Sequence, residues 1–168
     1  MEKVAKFEKV SLGQYEKDFK DKIGEGQDIN KVYADIIFPK RATVGSAGYD
    51  FFAPIEITLA PNETITVPTG IRAKINEGYV LLIYPRSGLG FKYRLQLDNT
   101  VGVIDADYYG AKNEGHILVK ITNDSKENKT LTIPKGTGFA QGIFMPFGIT
   151  VDDTVSDIRE GGMGSTTR

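Results

Sequence analysis

Apolar residues follow two different rhythms along this chain. Between Ser11 and Gly24 they recur as Leu12, Tyr15, Phe19 and Ile23, at spacings of three, four and four, which puts them on one face of a helix. Ser11 can cap that helix with Gln14 as its box partner, and Gly24 can stop it. From Val32 the rhythm shortens. Runs rich in Ile, Val, Thr and Tyr, at Val32–Phe38, Glu63–Val67, Tyr79–Tyr84, His116–Thr122, Thr130–Ile133 and Gly142–Met145, are separated by Gly, Pro, Asn or Asp. Short, regularly spaced strands with turn signals between them predict a sandwich, jelly roll or barrel. The pattern divides the chain into an N-terminal strand/helix extension (1–30), a β core (31–150) and a mobile, glycine-rich tail (151–168) too polar to pack a core.

Composition narrows the chemistry. The 168 residues include no Cys, no Trp and one His. That excludes a disulfide framework, a cysteine nucleophile and a multi-His zinc site, leaving carboxylates, arginines and a hard cation for any hydrolysis. Net charge is −1, from 21 Lys and Arg against 22 Asp and Glu, without the basic excess typical of duplex binders, so no nucleic-acid partner is expected. The longest apolar run, Val80–Tyr84, is too short to cross a bilayer, and the N-terminus lacks a signal-peptide core. A cytoplasmic protein without a membrane partner is expected.

Five segments carry candidate chemistry. Ser46-Ala47-Gly48-Tyr49-Asp50 delivers a carboxylate at a strand start. Tyr84-Pro85-Arg86-Ser87-Gly88-Leu89-Gly90 turns through glycines beside an Arg and a hydroxyl, which makes either an anion cradle or a plain turn with a surface Arg. The stretch from Asp98 to Gly110 (DNTVGVIDADYYG) bends at Gly102 and ends in two carboxylates and two aromatics; Asp105 there is a general-base candidate or a solvated hairpin residue. Gly136–Gly142 has its glycines misplaced for a dinucleotide fingerprint and reads as a hairpin turn. The tail around Arg159 offers backbone N–H groups to phosphates. His116 reads as an ordinary strand side chain, and Asp107 as structural, orienting a neighbouring Arg.

Together and in order, these segments resemble the five motifs of the trimeric dUTP diphosphatase (dUTPase) family, over about residues 32–168. PRSGLG and NTVGVIDADYYG carry most of the resemblance, with SAGYDFFAP and Ala140-Gln141 beside them. It implies an all-β, jelly-roll-like barrel or sandwich and Mg²⁺-dependent cleavage of dUTP to dUMP and pyrophosphate, supplying dUMP for thymidylate synthesis. It also implies a homotrimer whose chains share each site. Asp105 is then the carboxylate that activates water, and Asn99 reads the uracil edge with the main chain around Val103 and Ile104. Tyr108 packs against the deoxyribose. Arg86, Ser87, Gly88 and Gln141 hold phosphates, Asp50 meets Mg²⁺ through water, and Arg159 reaches the γ-phosphate while Met163, Gly164 and Ser165 close over the ligand.

The chain departs from the family pattern in four places. Thr137-Gly138 replaces the usual acidic residue and Arg, Met163 replaces Phe, the tail is one residue shorter between Arg159 and Met163, and Ala111–Gly115 lengthens the loop after the third segment. The Met163 change exchanges base stacking of roughly 1–3 kcal/mol for a thioether contact of about 0.3–1.5 kcal/mol. Two rival functions fit the sequence less well. A dCTP deaminase on this fold needs a Glu where Val119-Lys120-Ile121-Thr122-Asn123 has Lys120. A non-catalytic regulatory protein would not need Asp105, Asn99 and Tyr108 together.

Overall fold

The structure is a computed structural model and describes residues 1–157, 159 and 161. The chain opens with β1 (Ala5–Lys9) and α1 (Leu12–Lys22). Ser11 caps α1, its Oγ accepting from the Gln14 N–H at 3.1 Å, and Tyr15 and Phe19 on its inner face are fully buried. The reciprocal half of the expected capping box is not made. Gln14 turns to Asp18 at 2.8 Å, and the Ser11 N–H donates instead to Glu114 at 2.7 Å. Gly24, at φ +102°, ends the helix in the left-handed region.

Val32–Phe38, expected as the first core strand, forms no strand: its first three residues close α2 (Ile29–Ala34), and the rest is turn and irregular chain. Asp28 caps it, accepting from the Lys31 N–H at 3.1 Å. Ile29, Val32, Tyr33 and Ile36 form an i, i+3, i+4, i+7 set, of which Val32 and Ile36 are buried. The helical spacing and the cap outweigh the β-branched composition.

The strands follow: β2 (Lys40–Arg41), β3 (Tyr49–Phe52), β4 (Ile57–Leu59), β5 (Thr64–Pro68), β6 (Ile71–Ile75) and β7 (Tyr79–Pro85). After a short helix, α3 (Ser87–Tyr93), come β8 (Leu95–Leu97), β9 (Gly102–Ile104), a 3-10 turn (Ala106–Gly110), β10 (Leu118–Asn123), β11 (Leu131–Ile133) and β12 (Gly138–Pro146). Antiparallel pairing builds a five-stranded sheet in the order β2-β3-β12-β7-β9, a three-stranded sheet β5-β10-β8, and the ribbons β1-β6 and β11-β4. This is the all-β architecture expected from the strand spacing, with Phe51, Leu81, Ile83, Ile121 and Phe139 in its core.

The Gly136–Gly142 segment is turn only at its start. The Thr137 N–H closes onto the Pro134 carbonyl at 3.0 Å, and from Gly138 the chain is strand. Gly138 pairs with Phe52 and Ala140 with Phe51, so Phe139 is a bulge residue driven into the core. Among the described residues, no helix is long and apolar enough to cross a membrane.

Candidate active site

β12 brings three of the five segments side by side. Gln141 lies opposite Asp50 on β3 and opposite Tyr84 on β7. Arg86, one residue past β7, sets its Nε 3.2 Å from Asp50 Oδ1 and donates from Nη1 to the Gly138 carbonyl at 3.0 Å. Gln141 Nε2 donates to the Pro85 carbonyl at 3.1 Å. A Cβ on Gly138 would sit 2.8 Å from Arg86 Nη1. Glycine at this position, where the family pattern has Arg, is therefore what lets Arg86 lie against β12.

The segment read as a turn after Pro85 starts α3, with Arg86 in the N-cap position and its carbonyl accepting from the N–H groups of Leu89 and Gly90. The N–H groups of Ser87 and Gly88 lie in the first turn, where a helix has no internal acceptor for them. A cavity of about 560 Å³ opens here, with Arg86, Ser87 and Gln141 at a wall that is otherwise largely apolar, including Phe91, Leu95 and Ile143. Guanidinium, hydroxyl, amide and free N–H groups together suit an anionic, phosphate-like ligand.

The third segment builds a second cavity, of about 310 Å³, lined by Asn99, Gly102, Val103 and Ile104. The chain reverses before Gly102, where Thr100 takes φ +67° and its N–H donates to the Leu97 carbonyl at 2.9 Å. Gly102 is the first residue of β9; a Cβ there would meet Ile83 Cβ at 3.1 Å. Lys120 also lines this cavity and pairs with Asp98 at 3.0 Å. Ile83 lines the second cavity and Tyr84 the first. The two cavities share no lining residue, although Ile83 and Tyr84 are neighbours on β7.

Asp105 follows β9 at the N-cap of the 3-10 turn, with its side chain 48% exposed. Arg159 donates from Nη2 to Asp105 at 2.6 Å and from Nε to Asp107 at 2.8 Å, and its guanidinium lies 5.7 Å from the Tyr108 ring centroid. Asp107 thus holds an Arg, as read from the sequence. Arg159, expected at a γ-phosphate, rests on these two carboxylates. Tyr108 is buried, its hydroxyl donating to the His116 carbonyl and accepting from Asn113 Nδ2, both at 2.8 Å. Met163, Gly164 and Ser165 lie outside the described residues.

Several residues around this turn escaped the sequence reading. The Tyr109 hydroxyl donates to Glu8 at 2.6 Å; that bond, with Lys6 and the nearby Arg72 charge, holds the Glu8 carboxyl down at about 2. His116, expected as an ordinary strand side chain, instead precedes β10, with its ring fully buried and bonded at both nitrogens, to Asp18 and to the Gly70 N–H. No local signal marks these partners, because each lies dozens of residues from its mate. Among the described residues, no three His, Asp or Glu side chains converge as a cation cage.

A dUTPase family model matches residues 34–167. The deoxyuridine 5'-triphosphate nucleotidohydrolase of Lactococcus lactis subsp. lactis (strain IL1403) is 43% identical over 136 residues, which cover 79% of this chain and 89% of that protein. The protein of the same name from Tolumonas auensis is 42% identical over 138 residues, 77% of this chain and 87% of its own. Among solved structures, dUTPase from Streptococcus mutans is 34% identical, with a TM-score of 0.63 over 86% of this chain and 97% of its own. Staphylococcus bacteriophage 80alpha dUTPase, solved with dUPNHPP, is 26% identical, with a TM-score of 0.59 over 74% of this chain and 84% of its own.

Proposed function

The chain belongs to the dUTPase family and is a dUTP nucleotidohydrolase, and on that premise we propose that Asp105 activates the attacking water in a site shared between chains of a homotrimer. Asp105 is a half-exposed carboxylate at a strand end, and a carboxylate has acceptor sites to spare beyond the one Arg159 occupies. A positioned base of this kind contributes roughly 10²–10⁴-fold to the rate. Asn99 and the main chain of Val103 and Ile104 form the pocket for the uracil edge. Unpaired polar edges reject a wrong base by about 10⁴–10⁵ in such a site. Tyr108 presents its ring to the deoxyribose and excludes a 2′-hydroxyl.

Arg86, Ser87, Gly88 and Gln141 hold the triphosphate, with Arg159, Met163, Gly164 and Ser165 closing over it. Asp50 is a single carboxylate already paired with Arg86. That donor set fits a Mg²⁺ ion whose main ligands are phosphate oxygens and water, with Asp50 touching the water shell. Bound there, the ion would neutralise charge on the phosphates. The products, dUMP and pyrophosphate, return to the cytoplasmic nucleotide pool.

The observation that carries the shared site is the separation of the two cavities. They have no lining residue in common. The two halves of the site are thus built separately, and neighbouring chains can bring the phosphate face of one against the base pocket of another. The test is to co-refold two variants, Arg86→Ala and Asp105→Asn, each defective alone, and to measure pyrophosphate release from dUTP with Mg²⁺. Mixed assemblies recover activity in proportion to the sites that combine two intact halves. No recovery at any mixing ratio would falsify the shared site.

A further inference from the structure

The N-terminal extension grips the chain immediately around the 3-10 turn at three points. Glu8 on β1 accepts from the Tyr109 hydroxyl at 2.6 Å. Ser11 donates through both its N–H and its Oγ to the two oxygens of Glu114, at 2.7 and 2.6 Å. Asp18 on α1 pairs with His116 Nδ1 at 2.6 Å. Glu114 belongs to the extra loop 111–115, so two departures from the family core, the helix and the longer loop, are bonded to one another.

The third grip leads to Tyr108. The Gly70 N–H donates to His116 Nε2 at 2.8 Å, so the ring proton sits on Nδ1 and is donated to Asp18. Gln14 donates to the same Asp18 oxygen at 2.8 Å. Fixed on both sides, the imidazole holds the backbone at residue 116, whose carbonyl accepts the Tyr108 hydroxyl proton. Asn113, from the extra loop, donates to the same hydroxyl oxygen. The phenol tip is therefore anchored from two directions, by α1 through His116 and by the loop through Asn113. A Cβ on Gly115 would lie 2.7 Å from the Tyr108 carbonyl oxygen, so the loop closes directly on this residue's backbone.

We propose that Asp18 (acting through His116) and Asn113 are positioning residues for Tyr108, so that the N-terminal helix and the loop 111–115 set how strictly the enzyme rejects ribonucleotides. The inference rests on Tyr108 being the sugar-facing residue. An aromatic ring discriminates against one hydroxyl only if it cannot retreat, and its hydroxyl bonds are what hold this ring in place.

The test compares kcat and KM for dUTP and UTP in the full-length protein, together with melting temperatures. Asp18→Ala and Asn113→Ala should each lower the ratio of kcat/KM for dUTP over UTP by about three- to tenfold. Asp18→Asn keeps an acceptor for His116 and should restore most of that ratio. Phe19→Leu, which loosens the same helix without touching the relay, should lower the melting temperature and leave the ratio alone. An unchanged ratio in Asp18→Ala and Asn113→Ala overturns the proposal, as does an equal fall in Phe19→Leu. If Asp18→Ala does not fold, the partly exposed Asn113 carries the test. Tyr108→Ala separates the two levels: an undiminished ratio there overturns the sugar-facing reading itself, whereas a loss there with no effect in the other variants overturns the relay alone.

Discussion

Arg159 closes on Asp105, its Nη2 donating to Oδ2 at 2.6 Å while its Nε bonds Asp107. The tail's cation thus rests on the carboxylate assigned to water activation. Replacing that carboxylate by an amide keeps the shape and an acceptor for Arg159, but removes the base. Asp105→Asn should therefore lose roughly 10²–10⁴ in kcat, while binding of a non-hydrolysable dUTP analogue, followed by calorimetry, stays within a few-fold. Turnover that survives the change assigns the base elsewhere.

Two glycines on β12 should respond oppositely to alanine. At Gly138 the new Cβ meets the movable end of Arg86, at 2.8 Å. Gly138→Ala should push Arg86 off Asp50 and raise KM for dUTP with little change in melting temperature. At Gly142 the new Cβ meets Leu81 Cδ1 at 2.8 Å and Phe51 Cε2 at 3.0 Å, inside the core. Overpacking there costs about 1–3 kcal/mol, which denaturant melts will read as lost stability.

Gly115 combines φ +72° with backbone atoms at 2.7 and 2.8 Å from an added Cβ. Neither neighbour is a side chain that can swing away. Gly115→Ala should cost on the order of 1–3 kcal/mol in strain and reduce dUTP turnover, because the atoms displaced belong to Tyr108 and Tyr109. A variant with wild-type stability and rate would contradict this packing.

Acid should loosen the N-terminal extension. Tyr109, with Lys6 and Arg72, holds Glu8 at about 2, against an ordinary 4.5. Ser11 lowers Glu114, and His116 and Gln14 lower Asp18 against the opposing effect of burial. Between the two Glu8 values the unfolded chain binds more protons than the folded one, so this stabilisation is complete above about pH 4.5 and drains away toward about 2. Melting temperatures should fall as the pH drops below about 4.5, less steeply in Glu8→Gln. A melting temperature that rises on acidification would refute the assignment.

How far these features could be read in advance depended on whether their causes were local. Helix α1 was legible because its cap, its buried face and its stop all lie between Ser11 and Gly24. Val32–Phe38 misled because its Val, Tyr, Ile and Phe content suits a strand, while the deciding Asp28 cap lies just upstream of the run. Individual site residues could be proposed only through the family resemblance, and Arg86 on its own chemistry could be read as phosphate-binding or bland. Its pairing with Asp50 could not, because it depends on β12 lying between β3 and β7. Likewise nothing near Ser11 announces Glu114, 103 residues away.

The alternation of Ile83 and Tyr84 along β7 also limits how this enzyme can change over generations. Each residue faces a different cavity, so losing or gaining one residue upstream would reverse both orientations at once. It would bring Ile83 toward the cavity beside Arg86 and Tyr84 toward the one beside Asn99. Substitutions in this strand can be graded and repaired elsewhere. A change in its length cannot, and length variation should be confined to connections such as the loop 111–115.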